Sequence, residues 1–216
     1  MRRIVGAELE EIERQMAEGQ RSIEQRGERA FADGDVDLWL GSYDNMLGLR
    51  LVFDRRDDLL ARGLYEKALV QAYTMVRENT LHVPESVVRE MFALADRRRL
   101  FAAGDLKPCL GPWEVYRGVS GHGRARRVNG LSWSFSLNLA CWFALRNELA
   151  APAILHRVVT DDEVYYFSSQ RSEFEAVCLP SPTPPRRHRI GVEEMHKRRA
   201  ELLERWKAEE KAKPTH

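Results

Sequence analysis

Apolar residues recur at three- and four-residue spacing through the first half of the chain and at alternate positions through much of the second, so the pattern predicts helices followed by strands. Residues 1 to 32 set Ile4, Leu9, Ile12, Met16 and Ile23 among glutamates and arginines, the pattern of a solvated surface helix or a partner-binding arm. Asp33-Gly34-Asp35 breaks it. From Val36 to Ala61 the apolar positions (Leu38, Trp39, Leu40, Met46, Leu47, Leu49, Leu51, Val52, Phe53, Leu59, Leu60) are dense enough for one or two partly buried helices. Arg62-Gly63 ends that segment, and Leu64 to Asn79 returns to helical spacing through Leu64, Ala68, Leu69, Ala72, Tyr73 and Val76. Pro84 at a helix start then opens a predicted helix from Glu85 to Ala103, with Val87, Val88, Met91, Phe92, Ala95 and Leu100 as its stripe.

After Gly104-Asp105 and Lys107-Pro108 the pattern turns to strands. Trp113 to Val119 alternates, with Val115, Arg117 and Val119 on one face. In Leu131 to Ser136 the alternation is strict: Leu131, Trp133 and Phe135 make an apolar face, and Ser132, Ser134 and Ser136 a hydroxyl face. Leu137 to Leu149 reads as a helix capped by Ser136, and Pro152 ends it. Ala153 to Val159 and Val164 to Phe167 are further strands, with Asp161-Asp162 as the turn between them. The prolines after Leu179 and the cluster Arg186-Arg187-His188-Arg189 read as a linker, and Val192 to Lys211 as a charged C-terminal helix.

Composition narrows the class. A chain of 216 residues can bury a proper core, and a net charge of +1 does not announce a nucleic-acid or membrane partner. Charge distribution says more: residues 181 to 216 hold 10 basic against 6 acidic side chains, whereas residues 113 to 180 hold 7 of each. The three cysteines, Cys109, Cys141 and Cys178, are odd in number and far apart, which fits neither a disulfide framework nor a metal knuckle and points to a reducing compartment. The first residues do not have the form of a secretory signal and no apolar run approaches the length of a membrane span, so the expectation is a cytoplasmic protein without a membrane partner.

The residues that stand out chemically are those in the wrong place for a core. In the run Gln170 to Pro180, a strand of period two puts Glu173, Glu175, Val177 and Leu179 on one face and Phe174, Ala176 and Cys178 on the other. Two like charges about 6 to 7 Å apart beside an apolar strand end need a cation, hydrogen bonds or a ligand to offset them. An edge strand with solvated or arginine-paired carboxylates is the structural alternative. Arg117 between two valines needs a carboxylate, a phosphate or another acceptor, unless it lies at an edge and reaches water.

Taken in order, Tyr116-Arg117-Gly118, Ser132-Trp133-Ser134 with its following helix Ala140-x-Trp142-Phe143-Ala144, and Glu173-Phe174-Glu175 resemble the motifs of the arginine-serine-glutamate class of mono-ADP-ribosyltransferases. Trp133 stands where that class usually has threonine, and Ser134 with Ser136 offers a competing register for the serine motif. With the helical pattern of the first half and the charged tail, the resemblance gives the expectation of an α+β protein: a helical subdomain over 1–108, a compact ADP-ribosyltransferase-like β core over 109–182, and a basic linker and C-terminal helix over 183–216. It implies transfer of ADP-ribose from NAD, the co-substrate, with no metal, to a macromolecular acceptor that is protein arginine or nucleic acid. By the same analogy Glu175 stabilises the developing cation through a ribose hydroxyl, Ser132 orients Glu175, and Glu173 handles the acceptor. Arg117, Ser132, Ser134, Tyr116 and Gly118 make up the cofactor-binding set, and Arg124, Arg126 and Arg127 are candidates for neutralising pyrophosphate. An intracellular toxin or prophage defence effector, with an antitoxin or other regulatory partner, is the biology that fits. A non-catalytic interaction protein retaining the fold is the alternative of a different class.

Overall fold

A computed structural model of the chain describes residues 6–75, 83–105, 111–126, 130–169, 174–180 and 183–212. The fold is α+β: helices in the N-terminal part, then an antiparallel sheet, then a C-terminal helix. The chain divides into two compact units, Met1–Ala103 and Gly104–His216, so the C-terminal helix lies within the second unit.

The first unit is helical throughout its described residues: α1 (Gly6–Asp33), α2 (Val36–Gly41), α3 (Gly48–Asp54), α4 (Arg56–Ala61), α5 (Tyr65–Met75), α6 (Glu85–Leu94) and α7 (Arg97–Ala103). Gly34 at φ +80° ends α1, and Asp35 accepts the Leu38 amide at 2.9 Å to cap α2. Trp39, Leu40, Leu49, Leu59, Leu69, Met91, Phe92 and Leu100 fill the core, and the buried Tyr65 donates its hydroxyl to the Met91 carbonyl at 3.1 Å.

The single helix expected from Glu85 to Ala103 is two. Ala95 is extended (ψ 146°), the Asp96 amide donates to the buried Glu66 carboxylate at 3.0 Å, and Asp96 in turn accepts the Arg99 amide at 2.9 Å. An aspartate that caps its own downstream turn competes with continuing the helix, and a buried carboxylate from α5 fixes the outcome.

The second unit is a six-stranded antiparallel sheet in the order β4-β5-β2-β1-β3-β6, with β1 Trp113–Val119, β2 Ser132–Ser134, β3 Ala153–Val159, β4 Val164–Ser168, β5 Glu175–Cys178 and β6 Arg186–Arg187. Helix α8 (Leu137–Leu145) connects β2 to β3, and α9 (Val192–Ala212) packs on α8. One sheet face carries Trp113, Val115, Val119, Trp133, Leu155, Phe167, Ala176 and Cys178 in a single apolar cluster. The other face lies under α8: Ile154 packs with Ala140, Cys141, Ala144 and Leu145, and Met195 of α9 joins them. Burying side chains of this size contributes about 1.5 to 3 kcal/mol each, which is why these two faces set the strand order.

Burial of the thiols has a measurable consequence. It pushes Cys178 up to about 12 and Cys141 up to about 11, from an ordinary 9.0. Both are expected to resist a soluble disulfide reagent at pH 8 while the protein is folded and to react on unfolding; fast titration of either in the native protein would contradict this burial. Above pH 9 the unfolded chain sheds these protons while the folded one keeps them, so stability falls as pH rises through that window.

Candidate active site

The three strands that carry the arginine, serine and glutamate motifs, far apart in sequence, are consecutive neighbours at the middle of the sheet, β1-β2-β5. Ser134 lies opposite Tyr116 on one side and opposite Glu175 on the other, and Glu175 lies opposite Ser168 of β4. Directly opposed residues in antiparallel strands share a face, with Cβ atoms about 4.5 to 5.5 Å apart. Ser168, Glu175, Ser134 and Tyr116 therefore form a polar row across the sheet, continued by His156 of β3 opposite Tyr116. Ser168, Glu175 and Ser134 are buried. A carboxylate held out of bulk water between two hydroxyl-bearing strands acts through a lower dielectric than one on the surface.

The N-terminus of β5 departs from the expected alternation. Phe174 is exposed and sits at φ +42°, a left-handed conformation that costs a non-glycine residue about 1 kcal/mol or more and does not belong to a strand. Its carbonyl accepts the Phe135 amide at 3.1 Å, which fixes the turn against the end of β2. The strand begins at Glu175, directly after this turn. Glu173 itself lies outside the described residues, as does Arg127.

The serine register is legible in the geometry. Ser134 faces Glu175, whereas Ser132 faces Val177 one step further along. The Ser134 hydroxyl also accepts the Ser136 amide at 2.9 Å, and Ser136 leaves the strand to cap α8 by accepting the Leu139 amide at 3.3 Å. Ser134 thus meets Glu175 directly across the β2/β5 pair, and Ser132 is its diagonal neighbour.

Arg117 projects, by alternation, to the face opposite Tyr116 and Ser134. Pairing of β1 with β2 is confined to Tyr116 and Ser134, and beyond it Arg117 Nη1 donates to the Ser132 carbonyl at 2.5 Å. The guanidinium thus links the arginine strand to the serine strand by a charge-assisted bond. Gly130, which sequence reasoning passed over, makes room for it: a Cβ there would meet Arg117 Nη2 at 2.1 Å.

The remaining motif residues are placed as follows. Gly118 lies under α8, where a Cβ would come 2.0 Å from the Ala140 carbonyl oxygen and 2.5 Å from the Ala144 amide; what it accommodates is the helix backbone. Tyr116 donates its hydroxyl to Glu114 at 3.0 Å, and its ring lies 5.3 Å from His156 and 5.6 Å from His188. Burial first, and the Glu114 hydrogen bond second, raise the Tyr116 hydroxyl above its ordinary value. Arg126 donates to the carbonyls of Ala151 at 3.2 Å and Gly121 at 3.4 Å, so this arginine holds its own loop. Among the described residues no group of three or more His, Cys, Asp and Glu side chains is arranged to hold a metal, and no helix is long and apolar enough to cross a membrane.

Ser168, Glu114, His156 and His188 join this neighbourhood without having been singled out in the sequence. Each belongs to an ordinary strand or linker pattern, and only strand order brings them beside Tyr116 and Glu175. Comparisons with protein-family models, with curated proteins and with solved structures returned no match.

Proposed function

We propose that the chain is an NAD-dependent mono-ADP-ribosyltransferase that moves ADP-ribose from NAD to a macromolecular acceptor, with protein arginine as the first acceptor to test. The observation that carries this reading is the adjacency of β1, β2 and β5, with buried Glu175 directly across from Ser134. Cleaving the bond between nicotinamide and the ribose C1′ releases nicotinamide with the bonding electron pair and leaves an oxocarbenium-like centre. That centre needs a fixed negative charge beside the ribose more than it needs a nucleophile from the protein. Glu175 supplies the charge, and Ser134 orients it. An acceptor nitrogen or oxygen then bonds to C1′ and gives up its proton. Arg117 lies on the opposite face of the sheet from Ser134 and Glu175, and its part in this reading is to tie the arginine strand to the serine strand through the Ser132 carbonyl.

The test is incubation of the protein with NAD labelled in its adenylate half and a cell lysate, followed by protease or ribonuclease. Label made soluble by protease supports transfer to protein, and label made soluble by ribonuclease moves the acceptor to RNA. Absence of both NAD consumption and transfer overturns the proposal.

The register adds a finer expectation. On this reading the Ser134 hydroxyl donates to the Glu175 carboxylate, so Ser134→Ala should lower kcat by roughly 10- to 100-fold, while Ser132→Ala, whose backbone carbonyl still receives Arg117, should cost several-fold less. Steady-state nicotinamide release by both variants checks it; a larger loss in Ser132→Ala would return the orienting role to Ser132.

A further inference from the structure

We infer that α1 is a self-association helix, docking against α1 of a second copy of this chain in antiparallel orientation. Leu9, Ile12, Met16 and Ile23 are 50%, 43%, 70% and 37% exposed, although they fall on one stripe of a 28-residue helix. Their spacing of three and four, with Gly19 at the remaining position, is the alternating seam of a two-stranded coiled coil. Outside the seam the helix satisfies itself: Arg14 and Gln15 donate to Glu11, each at 2.7 Å, and Gln20 to Glu24 at 3.0 Å. The stripe is covered within the chain's own first unit only from Gly27, where Tyr43 packs against the glycine, and Ala30, which is buried. Among the described residues of the first unit, nothing packs over the apolar seam along residues 9 to 26, roughly 27 Å of helix. In proteins most of a helix's stability comes from packing its apolar face, so this seam calls for a partner.

The seam's own irregularities say what fits it. In a parallel pair the two Arg26 side chains would face each other in the seam, and the two Gly19 positions would leave a gap in the same layer. In the antiparallel pair Met16 lies over Gly19 of the other copy and fills that gap, Ile12 meets Ile23, and the aliphatic stem of Arg26 covers Leu9 with its charge toward water. Glu13 then flanks Gln20 instead of another carboxylate. Large meets small and no like charges are opposed, so the stripe is complementary to its own reverse. That property selects a second copy over an unrelated helix.

Sedimentation velocity on the full chain between about 1 and 100 μM should show a monomer–dimer equilibrium, with Met16→Glu weakening the dimer by at least about a hundredfold at unchanged melting temperature of the folded units. Orientation is read by disulfide trapping in a Cys109→Ser background. Ile12→Cys mixed with Ile23→Cys should give the heterodisulfide, whereas a parallel pair would give each homodisulfide. A monomer across the whole range, a dimer that Met16→Glu leaves intact, or homodisulfides alone would each overturn the inference.

Discussion

Glu175→Gln is expected to abolish ADP-ribose transfer while leaving the protein folded. The amide has the shape of the carboxylate and sits directly across from Ser134 in the β2/β5 pair, so packing in the buried row is kept. What disappears is the fixed negative charge that the proposed chemistry sets beside the ribose. Removing one preorganised electrostatic group of this kind costs on the order of 3 to 4 kcal/mol of transition-state stabilisation, a rate factor of about 10² to 10³. The loss should appear in kcat with NAD affinity little changed, because the charge acts on a centre that becomes cationic only as the bond breaks. Circular dichroism and melting temperature of the variant, measured beside its turnover, separate loss of chemistry from loss of fold. A folded variant with near-normal turnover removes Glu175 from the mechanism.

Gly118→Ala is expected to have the largest effect on stability. Strand β1 and helix α8 approach so closely that the added methyl would stand 2.0 Å from the Ala140 carbonyl oxygen and 3.0 Å from Phe143 Cβ. The first obstacle is helix backbone, which cannot rotate away as a side-chain tip can. The helix must lift from the sheet, opening its contacts with Ile154 and, through α9, with Met195. Overpacking against backbone of this severity costs about 3 kcal/mol, or roughly 10 to 20 °C of melting temperature in a unit of this size. Gly118→Val should fail to fold. If Gly118→Ala melts like the parent but binds NAD more weakly, the glycine serves the cofactor and the tight helix contact is wrong.

Much of this architecture is legible in the sequence because local pattern and final burial agree. β1 and β3 run from Trp113 to Val119 and from Ala153 to Val159, as alternation predicts, and α8 starts at the Ser136 cap. Where expectation and structure part, a long-range or conformational effect decides. The break between α6 and α7 depends on Glu66 arriving from α5. The edge strand β6 forms at Arg186 and Arg187, directly after a proline-rich stretch that reads as linker, because β3 offers it an open side. The left-handed Phe174 cannot be read from its residue type, and strand β5 starts only after it, at Glu175.

The candidate site is legible to the level of residue types and strands, and not to the level of register. Ser136 is legible as the helix cap, but nothing in Ser132-Trp133-Ser134 tells which of its two serines meets the glutamate; pairing with β5 does, by setting Ser134 against Glu175. Arg117 needed an acceptor, and a backbone carbonyl on the serine strand serves as one, with bare Gly130 leaving room for the guanidinium. Neither fact is local to the motif that contains the residue.

The measurement that bears most directly on the proposed chemistry is nicotinamide release from NAD by the purified wild-type protein, followed by chromatography with and without an added acceptor extract. An NAD-cleaving centre at Glu175 predicts release above the spontaneous rate that rises when acceptor is present and falls to background in Glu175→Gln. Release at the spontaneous rate from correctly folded wild-type protein, with extract as well as without, would contradict it.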